Sequence, residues 1–179
     1  RTTRLNDGTE ILMVTDNSEW RTLETPGYCW YENNESVFRL MYGGYYNFYA
    51  VKTGKLCPAG WHVANGDDWK ALKISLGMTA EQAEAEWYYG GITGDKIKET
   101  GTYNWVEGST NATNESGFTA LPSGSRSDYP SSFGDEGFAA GWWSSTIHAP
   151  SGSVISNWVI WNRSWISQSG MLSPNHGLG

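Results

Sequence analysis

The stretch NGDDWKALKISLG (residues 65–77) decides the fold class, because it carries clear helical signals in a chain otherwise dominated by turns. Asn65 is a residue type favoured at a helix N-cap, and the two aspartates after it suit the positively charged start of a helix. Trp69, Leu72 and Leu76 fall on one helical face, and the closing glycine is typical of the residue after a helix end. The stretch predicts one amphipathic helix.

A second helix is predicted directly after the first. Thr79 and Gln82 form a capping-box pattern, which predicts a helix from Glu81 to about Tyr88. Strand-like segments lie on both sides of the two helices, at residues 11–14, 117–121, 141–145 and 157–161, and the aromatic run 42–51 favours a strand or a packed loop. This order of strands, helices and strands predicts one α+β domain over residues 1–179.

Composition excludes several classes of protein. The chain has 179 residues, with eleven Trp, ten Tyr and five Phe, and disordered chains are poor in aromatic residues. The net charge is −7 and the twelve basic residues are scattered, which argues against nucleic acid as a partner. The chain has no run of 18 apolar residues, so the sequence does not predict a membrane-spanning helix. The chain opens with Arg1, so the lack of a signal peptide does not indicate a compartment.

Catalytic signals are weak. The chain has no GxSxG motif and no HExxH motif. His62 follows Cys57 by five residues, which could suggest a nucleophile and its base, but the turn and the tryptophan between them favour a structural role. Calcium could bind hard oxygen ligands at Asn65, Asp67 and Asp68, or at residues 135–136 (Asp135 and Glu136), although neither set matches an EF-hand loop.

The C-terminal half contains the strongest binding signal. Tryptophan rings offer flat apolar platforms, and amide and hydroxyl groups beside them supply hydrogen bonds for a sugar or a protein ligand. The candidate ligand-binding residues are Trp158, Trp161, Asn162, Arg163, Trp165, Ser167 and Gln168. The alternative is that these aromatic residues belong to the core.

The two cysteines, Cys29 and Cys57, form either a disulfide or two buried free thiols. The composition hints at an oxidising compartment, but one pair of cysteines does not decide between these alternatives.

Several motifs resemble a known family, the Fibrobacter succinogenes major paralogous domain. They are Tyr28-Cys29-Trp30-Tyr31, Leu56-Cys57-Pro58-Ala59-Gly60-Trp61-His62-Val63, Lys96-Ile97-Lys98-Glu99-Thr100, Gly117-Phe118-Thr119-Ala120-Leu121-Pro122-Ser123-Gly124 and Trp143-Ser144-Ser145-Thr146. The resemblance implies a C-type-lectin-like fold with two helices beside small antiparallel sheets and a long, loop-rich C-terminal half. It also implies a secreted or surface-attached bacterial protein, with the binding surface at about residues 141–176.

The chain departs from the family pattern at two places. Ala64 stands where the family usually has proline, and the chain stops at Gly179, where the family commonly continues into a strand with Val-Arg-Cys. If that terminal strand lies outside this sequence, its cysteine is an alternative partner for Cys57. The calcium-binding sugar motif of true C-type lectins is missing, so calcium chelation of a sugar does not carry over.

We therefore expect a non-catalytic extracellular or cell-surface module that binds a glycan or a surface protein. One alternative is a structural subunit whose exposed aromatic residues are buried against a neighbouring copy. Another is a polysaccharide-cleaving enzyme, which would need two carboxylates facing a cleft.

Overall fold

The computed structural model describes residues 2–85, 91–101, 103–106, 111–128, 132–147, 154–160 and 166–178. These residues form helices and two small sheets, which confirms the α+β class. None of the described helices is long and apolar enough to cross a bilayer. The described helices are α1 (Asn17–Thr22), α2 (Glu35–Met41), α3 (Phe48–Lys52), α4 (Gly66–Ser75), α5 (Ala80–Glu84) and α6 (Thr93–Ile97), with a 3₁₀ turn at Tyr31–Asn33.

Two sheets organise the domain. The described strands are β1 (Leu12–Met13), β2 (Gly27–Cys29), β3 (Tyr45–Tyr46), β4 (Ser123–Arg126), β5 (Phe133–Glu136), β6 (Ala139–Ile147), β7 (Val154–Ile160) and β8 (Ile166–Leu172). The smaller sheet has the order β1-β2-β3, and the larger has the order β5-β4-β6-β7-β8. Most strand pairs are antiparallel, but β1 runs parallel to β2 and β4 runs parallel to β6. The C-terminal half therefore contains more strand than the loop-rich half we expected.

The two predicted helices are both present. Helix α4 begins after Asn65, whose side chain caps the helix in a capping box with Asp68, and Gly77 follows its end with a φ of 107°. Helix α5 begins after Thr79 in a second capping box. It is shorter than predicted, because Ala85 is already extended with a ψ of 127°. Residues 86–90 lie outside the described residues.

Four further described helices were not predicted, because each has only five to seven residues. Asp16, Asn34 and Asn47 start three of them by accepting a hydrogen bond from a backbone N–H three residues later. The aromatic run 42–51 accordingly contains strand β3 followed by helix α3. The prediction of a strand at 117–121 was wrong: Thr119 has a φ of 56°, and β4 begins only at Ser123.

Five aromatic rings form what we call the closed cluster: Tyr31, Phe38, Tyr42, Tyr45 and Phe133. Tyr31 lies at its centre, with ring centroids 5.1 Å from Phe38 and 5.3 Å from Phe133 in edge-to-face contact. The Tyr45 hydroxyl donates a hydrogen bond to the carbonyl of Ser123. The cluster thus joins the N-terminal elements to the larger sheet.

Arg126 closes this cluster from the side of β4. Its side chain is fully buried, and its guanidinium lies 4.5 Å from the ring centroid of Trp20 and 5.0 Å from that of Phe133. The same group donates hydrogen bonds to the Val14 carbonyl at 2.7 Å and to Asn17 Oδ1 at 2.8 Å. A buried guanidinium needs such acceptors to offset its desolvation. Arg126 therefore holds the segment before α1 against the larger sheet.

Tryptophans of β6 and α4 connect the remaining elements. The indole N–H of Trp143 donates to the Tyr46 carbonyl at 2.8 Å, which links the two sheets. The indole N–H of Trp69 in turn lies 3.4 Å from the Trp143 carbonyl, which fixes α4 against β6. The backbone N–H of Ser145 donates to the Ala64 carbonyl at 2.9 Å. These contacts hold α4, β6 and the segment before α4 in one arrangement.

Candidate functional site

A cleft of about 680 Å³ lies where α4, β6 and the segment 56–64 meet. Helix α4 contributes Asp68, Trp69 and Leu72 to its lining, and strand β6 contributes Trp142 and Trp143. The segment 56–64 also lines the cleft, through Leu56, Cys57, Pro58, Val63 and Ala64. The volume falls within the range of clefts that enclose small ligands, and the lining is mostly apolar, as is usual for such sites.

Three rings form what we call the aromatic wall of the cleft: Trp69, Phe118 and Trp142. Trp69 and Trp142 have ring centroids 6.0 Å apart, and Phe118 meets Trp142 edge to face at 5.2 Å. Phe118 is 40% exposed, whereas Trp69 is buried. Because the rings touch one another, a ligand meets a preformed surface and does not have to order it.

Asp68 is the charged residue among the described residues that line the cleft. Its Oδ2 accepts from the backbone N–H of Asn65 at 2.9 Å and lies 2.8 Å from His62 Nε2. The Asn65 hydrogen bond and, second, the His62 contact lower the pKa of the Asp68 carboxyl, so the group is ionised at neutral pH. Within the described part of the chain, Asp68 Oδ1 accepts no hydrogen bond and is available to a ligand.

Trp61 lies in the segment 56–64 beside the cleft. The sequence favours a structural role for this tryptophan. Its side chain is 77% exposed, so packing does not account for it. Its backbone N–H donates to the carbonyl of Pro58, which lines the cleft. The sequence signal that could have identified it is its position between a Pro-Ala-Gly turn and a polar histidine, where a buried indole is not expected.

The two acidic clusters considered for calcium have other roles in the structure. Asn65 Oδ1 accepts from the backbone N–H groups of Asp67 and Asp68 at the start of α4. Glu136 Oε1 accepts from the Tyr42 hydroxyl at 3.1 Å, and Asp135 occupies a turn-like φ of 64°. Among the described residues, no group of three or more histidine, cysteine or acidic side chains could hold a metal ion.

The candidate disulfide is not formed, since Cys29 and Cys57 are both free thiols. Cys29 is buried beside Arg126 at the closed cluster, and burial raises the pKa of its thiol to about 11. Cys57 lies on the wall of the cleft, where burial also raises its pKa. His62, which was considered as a base for Cys57, contacts Asp68. A raised pKa is the opposite of what an activated nucleophile needs.

Of the ligand-binding residues predicted in the C-terminal half, the structure describes one side chain, that of Trp158. It is half-buried, donates its indole N–H to Ser156 Oγ at 2.8 Å and packs against the core around Trp143. The backbones of Ser167 and Gln168 lie in β8, paired with β7. Trp161, Asn162, Arg163 and Trp165 lie outside the described residues. The predicted binding surface therefore stays a prediction.

The cleft collects residues from separate motifs of the sequence. Cys57-Pro58, Asp68-Trp69, Phe118 and Trp142-Trp143 come from four segments spread over 87 positions of the chain, from 57 to 143. The sequence predicts Asp68 at a helix start and as a possible calcium ligand, Trp69 on the apolar face of that helix, and Phe118 in a strand. Their convergence depends on tertiary packing, so the spacing along the sequence did not predict it.

Comparison with known proteins identifies a family. No curated protein and no solved structure shows significant similarity to the chain. The family model of the Fibrobacter succinogenes major domain matches residues 1–173, nearly the whole chain. On the strength of this match, and in agreement with the motifs in the sequence, the chain belongs to the Fibrobacter succinogenes major domain family.

Proposed function

We propose that this chain is a non-catalytic recognition module that binds a glycan or a protein ligand in the aromatic cleft. The observation that carries the proposal is the aromatic wall of Trp69, Phe118 and Trp142 along a cleft of about 680 Å³. Aromatic residues supply large contact areas at low cost in conformational entropy. Phe118 is a large apolar residue left 40% exposed, and apolar surface gathered in a cleft is typical of an interaction site.

Two observations support the non-catalytic part of the proposal. The thiol of Cys57 is shifted towards its protonated form by burial, which disfavours nucleophilic attack. The carboxylate of Asp68 lines the cleft without a second acidic side chain among the described lining residues. Glycoside cleavage by the usual mechanism needs two carboxyl groups facing the bond that breaks.

The proposal extends to fold type and location. The α+β arrangement, with helices beside two small sheets, is compatible with the C-type-lectin-like fold that the family resemblance implies. That resemblance also supports an extracellular or bacterial cell-surface location. The predicted binding half overlaps the cleft in part, because Trp142 and Trp143 belong to β6. The surface around Trp158 could extend the same binding region.

The test compares two phenylalanines with similar exposure. Phe118 lines the cleft and is 40% exposed, whereas Phe138 lies outside the cleft and is 47% exposed. Glycan and peptide arrays would first identify a ligand for the wild-type domain. We expect Phe118→Ala to weaken binding by about tenfold or more, and Phe138→Ala to leave it within about twofold. Titration calorimetry measures both, and thermal unfolding checks that each variant is folded.

Equal binding by the wild-type domain and Phe118→Ala would remove the cleft from the proposal. A folded domain without any ligand on either array would count against a recognition module of this kind.

A second candidate function, a structural subunit, is favoured by the surface of α2. Val37, Leu40 and Met41 lie at helical spacing on one face and are 49%, 81% and 37% exposed. Burial of such a stripe against a neighbouring copy would stabilise an assembly. Sedimentation equilibrium decides between the two functions: a recognition module stays monomeric, whereas a subunit assembles with increasing concentration and loses assembly in Leu40→Glu.

A further inference from the structure

In the described lining of the cleft, side-chain oxygens are found on Thr2, Tyr46 and Asp68. Most of these oxygens already have hydrogen-bond partners within the protein. The Tyr46 hydroxyl donates to the Thr2 carbonyl at 2.6 Å and accepts from the Thr2 N–H at 2.8 Å. Thr2 Oγ1 donates to the Arg4 carbonyl and accepts from the Arg4 N–H. Asp68 Oδ1 therefore remains as the side-chain oxygen without a partner in the described part of the lining.

The small number of unpaired side-chain oxygens limits the type of ligand that the cleft can bind. A sugar ring carries a hydroxyl group on most of its carbons, and each hydroxyl buried without a partner costs free energy. The indole N–H groups of Trp69 and Trp143 are already directed at backbone carbonyls. A sugar could stack on the aromatic wall, but the described lining offers its hydroxyls few side-chain partners. The interior instead matches an apolar side chain.

The remaining polar feature of the cleft is negative. The Asp68 side chain is 43% exposed, and its ionised carboxylate lies directly before Trp69 of the aromatic wall. A cation bound here would be attracted by the carboxylate. The net charge of −7 also favours the approach of a cationic partner.

We propose that the cleft binds a peptide segment of a protein ligand, with an apolar side chain against the aromatic wall and a neighbouring lysine or arginine at Asp68 Oδ1. This inference rests on the proposed function, since it names the ligand class for the same cleft. Long basic side chains suit the position, because their aliphatic stems pack on apolar surface while their charged ends stay near water.

The probes are two matched libraries of blocked tetrapeptides built from Leu, Phe and Val. One library carries a single lysine, and the other carries norleucine, which lacks the amino group, at the same position. Binding is measured by affinity selection with mass spectrometry and by quenching of tryptophan fluorescence. We expect the lysine peptides to bind about threefold to fivefold more tightly than their norleucine partners, as is usual for a partly exposed ion pair.

Two neighbouring carboxylates provide the matched variants. Asp67 and Asp68 both lie in the first turn of α4 and are both exposed, but only Asp68 lines the cleft. Asp68→Asn keeps an oxygen that can accept from the Asn65 N–H. We expect this variant to lose the preference for lysine, and Asp67→Asn, with the same change in net charge, to keep it. For the wild-type domain, raising the salt concentration should also reduce the preference, because salt screens exposed charges.

The outcomes separate this inference from the proposed function. Equal binding of the two libraries, or a preference that survives in folded Asp68→Asn, would overturn the role of Asp68 and leave the cleft as a binding site. Binding of methyl glycosides without binding of either library would overturn the peptide ligand and leave a recognition module. If the folded domain bound neither peptides nor glycosides, the proposed function would fail as well.

Discussion

The closed cluster around Tyr31 and the aromatic wall around Phe118 are built from the same kind of contact and have different surroundings. Both contain rings in edge-to-face contact at 5–6 Å. Tyr31 is 5% exposed and Arg126 is fully buried beside its cluster, whereas Phe118 is 40% exposed and faces the cleft. Aromatic content alone therefore does not identify a binding surface; what matters is whether another element covers the rings.

The covering element comes from far along the chain. Phe133 and Arg126 complete the closed cluster about a hundred residues after Tyr31. The aromatic wall is exposed at Phe118, which follows a glycine with a φ of 71° and precedes a threonine with a φ of 56°. This turn presents the ring at the cleft, where it is 40% exposed in the described part of the chain.

The largest expected effect is a loss of stability when Arg126, which is buried beside the closed cluster, is replaced. Arg126→Ala leaves the Val14 carbonyl and the Asn17 side chain without their donor and opens a cavity, so we expect a loss of about 4–5 kcal/mol in the free energy of unfolding. Urea denaturation measures it. Arg39→Ala is the control, because Arg39 forms an exposed ion pair with Glu35 and should cost less than about 1 kcal/mol. Comparable losses in the two variants would contradict the closing role of Arg126.

The second effect compares the two ring systems directly. Tyr31→Ala removes a buried ring with four aromatic neighbours and should cost about 3–4 kcal/mol. Phe118→Ala removes a ring that is 40% exposed and should cost about 1 kcal/mol. The measurement is the same urea denaturation, with the slope checked for two-state behaviour. A larger loss for Phe118→Ala would mean that the aromatic wall is part of the core.

The smallest expected effect on stability at neutral pH is that of removing the Tyr31 hydroxyl group. Burial, and then the nearby Glu136 carboxylate, raise the pKa of Tyr31 to about 12. In the unfolded chain Tyr31 ionises near its ordinary pKa of 10.0. The stabilisation from this group is therefore complete below pH 10 and is lost as the pH rises through 12. Tyr31→Phe should cost about 1 kcal/mol or less at pH 7 and should give a shallower loss of stability between pH 10 and 12.

Urea denaturation at successive pH values tests this prediction. Burial lowers the pKa of Lys73 to about 8, and this group acts in the opposite direction: the folded state loses the proton first, so stability rises with pH between about 8 and 10.5. Because Lys73 is present in both proteins, it cancels in the comparison of wild type with Tyr31→Phe. Parallel alkaline curves for the two proteins would show that Tyr31 does not titrate as described.

The sequence predicted those parts of the fold that depend on neighbouring residues. The caps at Asn65 and Thr79 and the apolar face of α4 involve residues within about ten positions of each other. Short strand-like segments also predicted strands at 141–145 and 157–161, where the structure has β6 and β7, with residue 161 outside the described residues. Local signals of this kind survive because capping and periodicity hold in any tertiary context.

The cleft could not be predicted in the same way. Asp68 has a capping role that is sufficient to explain it, and nothing local indicates that the residue lines a cleft. Phe118 was expected in a strand, but the positive φ of Thr119 excludes regular pairing there. The segments that line the cleft meet only after α4 has packed on β6. Their function is therefore a property of the packed domain.

The long reach of Arg126 has a consequence for the order in which the domain folds. Its hydrogen bond to Val14 spans 112 positions, and that of Asn175 to the Trp20 carbonyl spans 155. The residues of the smaller sheet are therefore synthesised well before Arg126 and Asn175, which contact the same N-terminal region. Folding that depends on such distant contacts is slow. Residues 14–46 therefore reach their native packing only after the C-terminal half of the chain is present.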